Sequence, residues 1–203
     1  MTHTIKNPAA PIDLGALLQQ ELSEHRSTFE ATALGLSDPF TKALELLAGS
    51  LSHGGKLLLF GNGGSAADAQ HIAAELIIRY KGDRAAIAAI SLTTDSSALT
   101  ACGNDLGFDA LFERQIEGLG RLGDVALGIS TSGNSPNVLR GLTRARSLGM
   151  KTLGLSGATG GKMRDLCDAL ITVPSPVTAR IQEMHIMIGH MLCKALEQRL
   201  GLV

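Results

Sequence analysis

The stretch K-L-L-L-F-G-N-G-G-S-A-A-D-A-Q-H-I-A-A-E-L, Lys56 to Leu76, changes its hydrophobic period part-way, and that change decides the fold class. Lys56–Phe60 is a short, continuously apolar run, as expected of a strand covered on both faces. Glycines 61, 63 and 64 interrupt it, and from about Ser65 to Tyr80 the apolar residues recur at helical spacing. A buried strand, a glycine turn and a helix form the first half of a β–α–β unit, whose strands run parallel.

Outward from this unit the alternation continues. Strands are expected at Ile87–Leu92, Val125–Ser130, Lys151–Ser156 and Leu170–Pro174. Helices are expected over Ser96–Cys102, Ala110–Leu119 and Pro136–Leu148, with a long closing helix from about Thr178 to Leu200. Residues 13–53 read as two helices, the second with Pro39 in its first turn behind Asp38 as an acidic cap. The expectation is an α/β three-layer sandwich with a five-stranded parallel sheet, preceded by N-terminal helices. Residues 1–203 would form one domain, with the N-terminal helices at 13–53 and the sandwich and closing helix at 56–200.

Composition excludes several classes. Hydrophobic residues make up 44% of the 203, but aromatics only 3% with no Trp, which leaves no rings for a base-stacking nucleic-acid platform. The formal charge of −1 supplies no basic field toward DNA or an anionic membrane. Cys102, Cys167 and Cys193 are scattered without a C-x-x-C pair, as in a reduced cytosolic protein. The N-terminus lacks an apolar signal run, and no segment approaches the roughly 18 apolar residues of a membrane span. A cytoplasmic location is expected.

In open parallel sheets, ligands bind beyond the carboxyl ends of the strands. Three strands end in loops suited to that: G-N-G-G-S at 61–65, T-T-D-S-S at 93–97 and S-T-S-G-N-S at 130–135. Gly61-x-Gly63-x-x-Ala66 satisfies a dinucleotide fingerprint formally, but Asp83 falls before the second strand, where it cannot reach a ribose. A phosphate loop fails as well, because S-G-A-T-G-G-K-M at 156–163 lacks the first Gly and the final Ser/Thr. A plain tight turn remains the structural alternative. Ser130, Thr131, Ser132 and Ser135 place hydroxyls at a strand-to-helix turn, which with free helix N–H groups makes a phosphate cradle without a lysine. Such a cradle suits a small monophosphate, such as a sugar phosphate; its plain alternative is a serine-rich capping turn.

His71 and Glu75 are four residues apart and share a helix face, with Asp68 a turn earlier. Gln182 and His190 stand about two turns apart on the closing helix. Together these could hold Zn²⁺ through four ligands, or serve as general base and acid. They could equally be a solvated helix pair and a core histidine. His185 competes with His190, since five residues rotate a helix by about 140° and both cannot face one site. Spacing alone leaves that choice open.

Four motifs, G-N-G-G-S-A-A-D-A-Q-H-I-A-A-E-L, A-C-G-N-D-L-G-F, G-D-V-A-L-G-I-S-T-S-G-N-S and T-A-R-I-Q-E-M-H-I-M-I-G-H, occur in this order and together resemble the phosphoheptose isomerases of the sugar-isomerase (SIS) domain superfamily. The resemblance runs from about residue 15 to the C-terminus and implies a flavodoxin-like SIS fold. It also implies a cytoplasmic homotetramer with interfacial active sites and no nucleic-acid or membrane partner. The implied reaction converts sedoheptulose 7-phosphate to D-glycero-D-manno-heptose 7-phosphate, toward the heptose of lipopolysaccharide inner core or related glycans. Carried over by motif, Glu75 is the base and His190, rather than His185, the acid/base partner. Asn62, Gly63, Gly64, Ser65, Ser130, Thr131, Ser132 and Ser135 would bind the phosphate end. Arg79, Asp105 and Gln182 would contact the sugar. In zinc-containing members His71, Glu75, Gln182 and His190 would hold one Zn²⁺ per subunit. Pro176 and Val177 depart from the more polar segment expected there, which bears on fine substrate preference. The competing readings are a non-catalytic SIS adaptor that binds the replication initiator, and a sensor or isomerase of another sugar phosphate. The adaptor loses the catalytic carboxylate and carries a basic residue in the serine loop, whereas this chain keeps Glu75, His190 and Ser132.

Overall fold

A computed structural model describes residues 12–203. Two helices, α1 (Leu14–Gly35) and α2 (Ser37–Ser52), lead into β1 (Leu57–Gly61), α3 (Gly64–Ile77), β2 (Ala89–Ser91), α4 (Ser96–Asp105) and α5 (Leu111–Leu119). Then come β3 (Val125–Ser130), α6 (Pro136–Ser147), β4 (Lys151–Gly157), β5 (Ala169–Val173) and α7 (Thr178–Arg199). All strand pairs are parallel and the order is β2-β1-β3-β4-β5. Chain direction across the sheet therefore reverses between β1 and β3, the position where sheets of this order open a ligand crevice.

Every residue of β1 and of β3 is buried, which is why these strands read as unbroken apolar runs rather than alternating ones. Their side chains still divide by parity. Leu57, Leu59, Val125, Leu127 and Ile129 join one core with α2, α3 and α7. Leu58, Phe60 and Ala126 join a second core with α5 and α6. Helices thus cover both faces of the sheet, giving the three layers that the alternation predicts.

The elements appear in the expected order, and their ends differ for local reasons. The helix α2 begins at Ser37 with Leu36 as its N-cap, so Asp38 is not the cap. Asp38 instead lies in the first turn, where its carboxylate still faces the positive helix end, and Pro39 takes a position that needs no N–H. The helix α3 stops at Ile77 rather than near Tyr80. The Tyr80 N–H donates to Glu197 Oε1, and the Leu76 carbonyl accepts from Ile87 N and Arg84 Nη1. Tertiary partners thereby replace the next turn of helix, which no local signal announces.

Candidate active site

Two loops flank the reversal between β1 and β3. At the first, Gly63 caps α3 with φ +56° and ψ −121°, a conformation open to glycine and costly to other residues. Gly64 follows because the Gln182 amide lies where its Cβ would be: a Cβ there would sit 2.4 Å from Nε2. At the second, Ser135 is the N-cap of α6 but makes no capping bond with its side chain. Its hydroxyl pairs with that of Ser130 at 2.9 Å, and Ser130 lies 3.4 Å from the Ser132 hydroxyl. The N-cap residues Gly63 and Ser135 make no side-chain capping bond; the first turn of α3 closes on the carbonyls of Asn62 and Gly63, and in α6 Val138 N donates to Asn137 Oδ1 at 3.0 Å.

Asn62 and Asn137 join the two loops by a reciprocal amide pair at 2.9 and 2.8 Å. The amide of Asn62, expected to touch phosphate, is therefore committed to the scaffold. Ser65 is buried, Thr131 half-buried and Ser132 exposed, with the Ser132 hydroxyl also accepting from Asn134 N at 3.1 Å.

Farther along α3, His71, Glu75 and His190 converge, with one ligand atom from each lying within 4.8 Å of the others. The Nε2 atoms of His71 and His190 stand 2.8 Å apart, and His71 Nε2 is 3.4 Å from Glu75 Oε1. Two imidazole nitrogens at that distance need one proton between them, or a cation. A set of two nitrogens and one carboxylate fits Zn²⁺, which takes such ligands at about 2.0–2.2 Å. The Tyr80 ring lies against His190, centroids 5.6 Å apart, and the His71 ring meets His190 edge-on at 5.0 Å.

Gln182, the remaining residue expected of a metal site, has its amide against Gly64, two turns before His190 on α7. Asp68 is half-buried, with Oδ2 buried and unpartnered, and burial raises its pKa to about 6 against the opposing pull of His71. Arg79, expected at the sugar, is exposed and paired with Asp83. Asp105 is exposed at the end of α4 and accepts from Asn104 at 2.7 Å. Neither Arg79 nor Asp105 hydrogen-bonds the His71–Glu75–His190 trio among the described residues.

The choice between the two histidines has a structural answer. His185 is fully buried with Nε2 3.1 Å from the Ser156 carbonyl, and burial lowers its pKa to about 4. It faces the core while His190 faces His71. Cys193, one turn past His190, has its thiol pushed up to about 12, first by burial and then by Glu75 and Glu197, so it stays protonated. Tyr80, Asn137 and the Arg84–Glu197 pair are the parts that sequence reasoning missed. All act through tertiary contact, and only the lone tyrosine near the motif could have drawn attention.

The trio opens to solvent, with the His71 side chain 48% exposed and that of Glu75 22%. Among the described residues, no helix is long and apolar enough to cross a membrane.

A profile of the SIS domain matches residues 22–157. The chain is 57% identical over 180 residues to the phosphoheptose isomerase of Paramagnetospirillum magneticum, covering 89% of this chain and 94% of that one. It is 55% identical over 182 residues to phosphoheptose isomerase 1 of Campylobacter jejuni, covering 90% and 97%. Among solved structures, it resembles the phosphoheptose isomerase of Neisseria gonorrhoeae with TM-score 0.86 at 43% identity, covering 91% of this chain and 99% of that one. For the Francisella tularensis enzyme the TM-score is 0.89 at 34% identity, covering 92% and 100%. With these identities over nearly the whole length, and with the sheet order and both loops in place, the chain belongs to the phosphoheptose isomerase family of SIS-domain proteins and is an enzyme of the aldose–ketose isomerase class.

Proposed function

We propose that this protein converts sedoheptulose 7-phosphate to D-glycero-D-manno-heptose 7-phosphate through an enediolate, in the cytoplasm, on the way to bacterial glycan heptose. The convergence of His71, Glu75 and His190, about two helical turns from a hydroxyl-rich phosphate cradle, carries the reading. The six steps from Ser65 to His71 rise about 9 Å along α3, comparable with an extended seven-carbon chain. Phosphate held by Ser65 and the 130–135 loop supplies the binding energy that sets C1 and C2 against the trio.

Glu75 takes the proton from C1 while His190 donates one to O2, giving the enediol. Glu75 then returns a proton to C2 while O1 gives its own to His190, which restores both groups and leaves the aldose. Arg79, Asp105 and Gln182 are assigned to the sugar hydroxyls. His71, Glu75 and His190 would hold a single Zn²⁺, which when bound would stabilise negative charge on O1 and O2, and Gln182 would complete the set only by turning its amide away from Gly64.

The exposure of the trio in one chain bears on assembly, because an enediolate needs a site from which water is excluded. Leu14, Leu18 and Leu22 repeat every fourth residue on α1 and are all exposed, an apolar stripe suited to a second copy. A homotetramer with active sites closed by neighbouring subunits accounts for both features.

The test is turnover of sedoheptulose 7-phosphate by the purified protein, followed by proton NMR with and without chelator and added Zn²⁺. An aldose heptose 7-phosphate should form, with loss on chelation if the metal is required. A folded, zinc-supplemented protein that leaves the ketose unchanged would overturn the proposal and favour the adaptor or sensor reading.

A further inference from the structure

Arg84 lies between α3 and β2, outside every motif that points to the chemistry. Its side chain has no exposed surface, and that of Glu197 on α7 is 3% exposed. The guanidinium uses all three nitrogens. Nε donates to Glu197 Oε1 at 2.7 Å, Nη1 to the carbonyls of Leu76 and Ala85 at 2.9 Å, and Nη2 to the carbonyl of Glu75 at 2.8 Å. The same Glu197 oxygen accepts from Tyr80 N at 3.2 Å.

In an uninterrupted helix the carbonyls of Glu75 and Leu76 would accept from residues 79 and 80. Arg84 takes both carbonyls, and Glu197 takes the N–H of Tyr80. The pair therefore ends α3 one residue past Leu76 and fastens that end to α7. The two helices run in parallel along this seam, with Gly64 against Gln182, Ile72 against Gly189 and Tyr80 against Glu197. A Cβ on Gly189 would stand 2.6 Å from Ile72, so the helices are already in close approach in the middle.

We propose that Arg84 and Glu197 are positioning residues: a buried clamp that fixes the end of α3 on α7 and so sets the spacing of His71 and Glu75 from His190. The clamp acts at two points. Arg84 holds the backbone of Glu75 itself, and the Tyr80 turn pinned by Glu197 carries the ring that backs His190. The inference rests on the catalytic assignment of Glu75 and His190 proposed above. A planar five-donor guanidinium can serve Glu197 and three carbonyls at once, which a lysine ammonium on its flexible stem cannot match in geometry.

Two variants of the full chain test it. Arg84→Lys keeps the charge and loses the fork. The double variant Arg84→Met/Glu197→Met replaces the pair with apolar side chains, an exchange that buried ion pairs often tolerate without loss of stability. Three readouts are taken. Thermal melting reports folding, kcat and KM are measured with sedoheptulose 7-phosphate, and the nuclear Overhauser contact between the His71 and His190 rings is followed in metal-free protein with labelled histidine.

The expected result is a folded protein with kcat down about tenfold or more, approaching the ~100-fold loss that a displacement near 1 Å brings. KM should stay within about threefold, because the phosphate cradle lies at the other end of α3. The ring-to-ring contact should weaken in parallel with kcat. A folded double variant with wild-type kcat and an unchanged ring contact would overturn the clamp. So would an Arg84→Lys protein that matches wild type in both. If the wild-type protein itself turns over no substrate, the catalytic assignment fails while the ring contact still decides whether the clamp sets the spacing.

Discussion

Glu75 and His190 come from different helices, and the surroundings of each bear on the role proposed for it. The Glu75 carboxylate is only partly exposed and lies within reach of two imidazoles, so it can be oriented by them and still meet substrate. Glu75→Gln keeps the shape and removes the proposed base. The variant should stay folded, bind phosphate-bearing substrate, and lose about 10²–10⁴-fold in kcat, as for other general bases. Steady-state kinetics beside a melting curve checks this. His185 makes the opposite case. Its pKa is lowered to about 4 by burial, so in the folded state it resists a proton that the unfolded chain accepts near 6.5. Its contribution to stability is whole above pH 6.5 and is lost as pH falls toward 4, on the order of 3 kcal/mol in all. Urea midpoints across that window should fall less steeply for His185→Gln than for the parent. Equal slopes would show that His185 titrates normally.

At the scale of elements, the turn into α3 does two jobs that a single sequence motif announces only in part. Gly63 permits the turn, while Gly64 leaves room for a side chain that arrives from α7 more than a hundred residues later. Gly64→Ala should leave stability within about 1 kcal/mol, since alanine favours helix. It should lower kcat/KM by about tenfold through displacement of Gln182, read by the same kinetics. Much of this layer was legible beforehand. The switch from an unbroken apolar run to helical spacing at Lys56–Leu76 identified a buried strand and its helix, because burial on both faces and amphipathic periodicity leave different patterns. What could not be read were the points where tertiary partners override local preference. The end of α3, cut short by Arg84 and Glu197, is one. The reciprocal pairing of Asn62 with Asn137 is another, since side chains that meet across a sheet leave no periodic trace. Helix spacing likewise left His185 and His190 undivided; the motif resemblance chose His190, and the packing of α7 shows it beside His71 with His185 in the core.

For the whole molecule, the parallel sheet places the N-termini of α3 and α6 at its reversal point, and the α3–α7 seam carries the proposed acid/base groups away from them. One chain leaves those groups half open and an apolar stripe on α1 uncovered. Leu18→Asp with Leu22→Asp should therefore lower the assembly mass and kcat together, seen by light scattering and by turnover; a smaller but fully active species would separate assembly from catalysis. The most direct test of the central claim is the fate of the transferred hydrogen. Sedoheptulose 7-phosphate incubated with the protein in D₂O should give an aldose that carries deuterium at C2 in at least part of the product, and Glu75→Gln should slow product formation and exchange together by about 10²–10⁴-fold. Turnover with no deuterium at C2, or exchange at the parent rate in Glu75→Gln, would contradict an enediolate formed by Glu75.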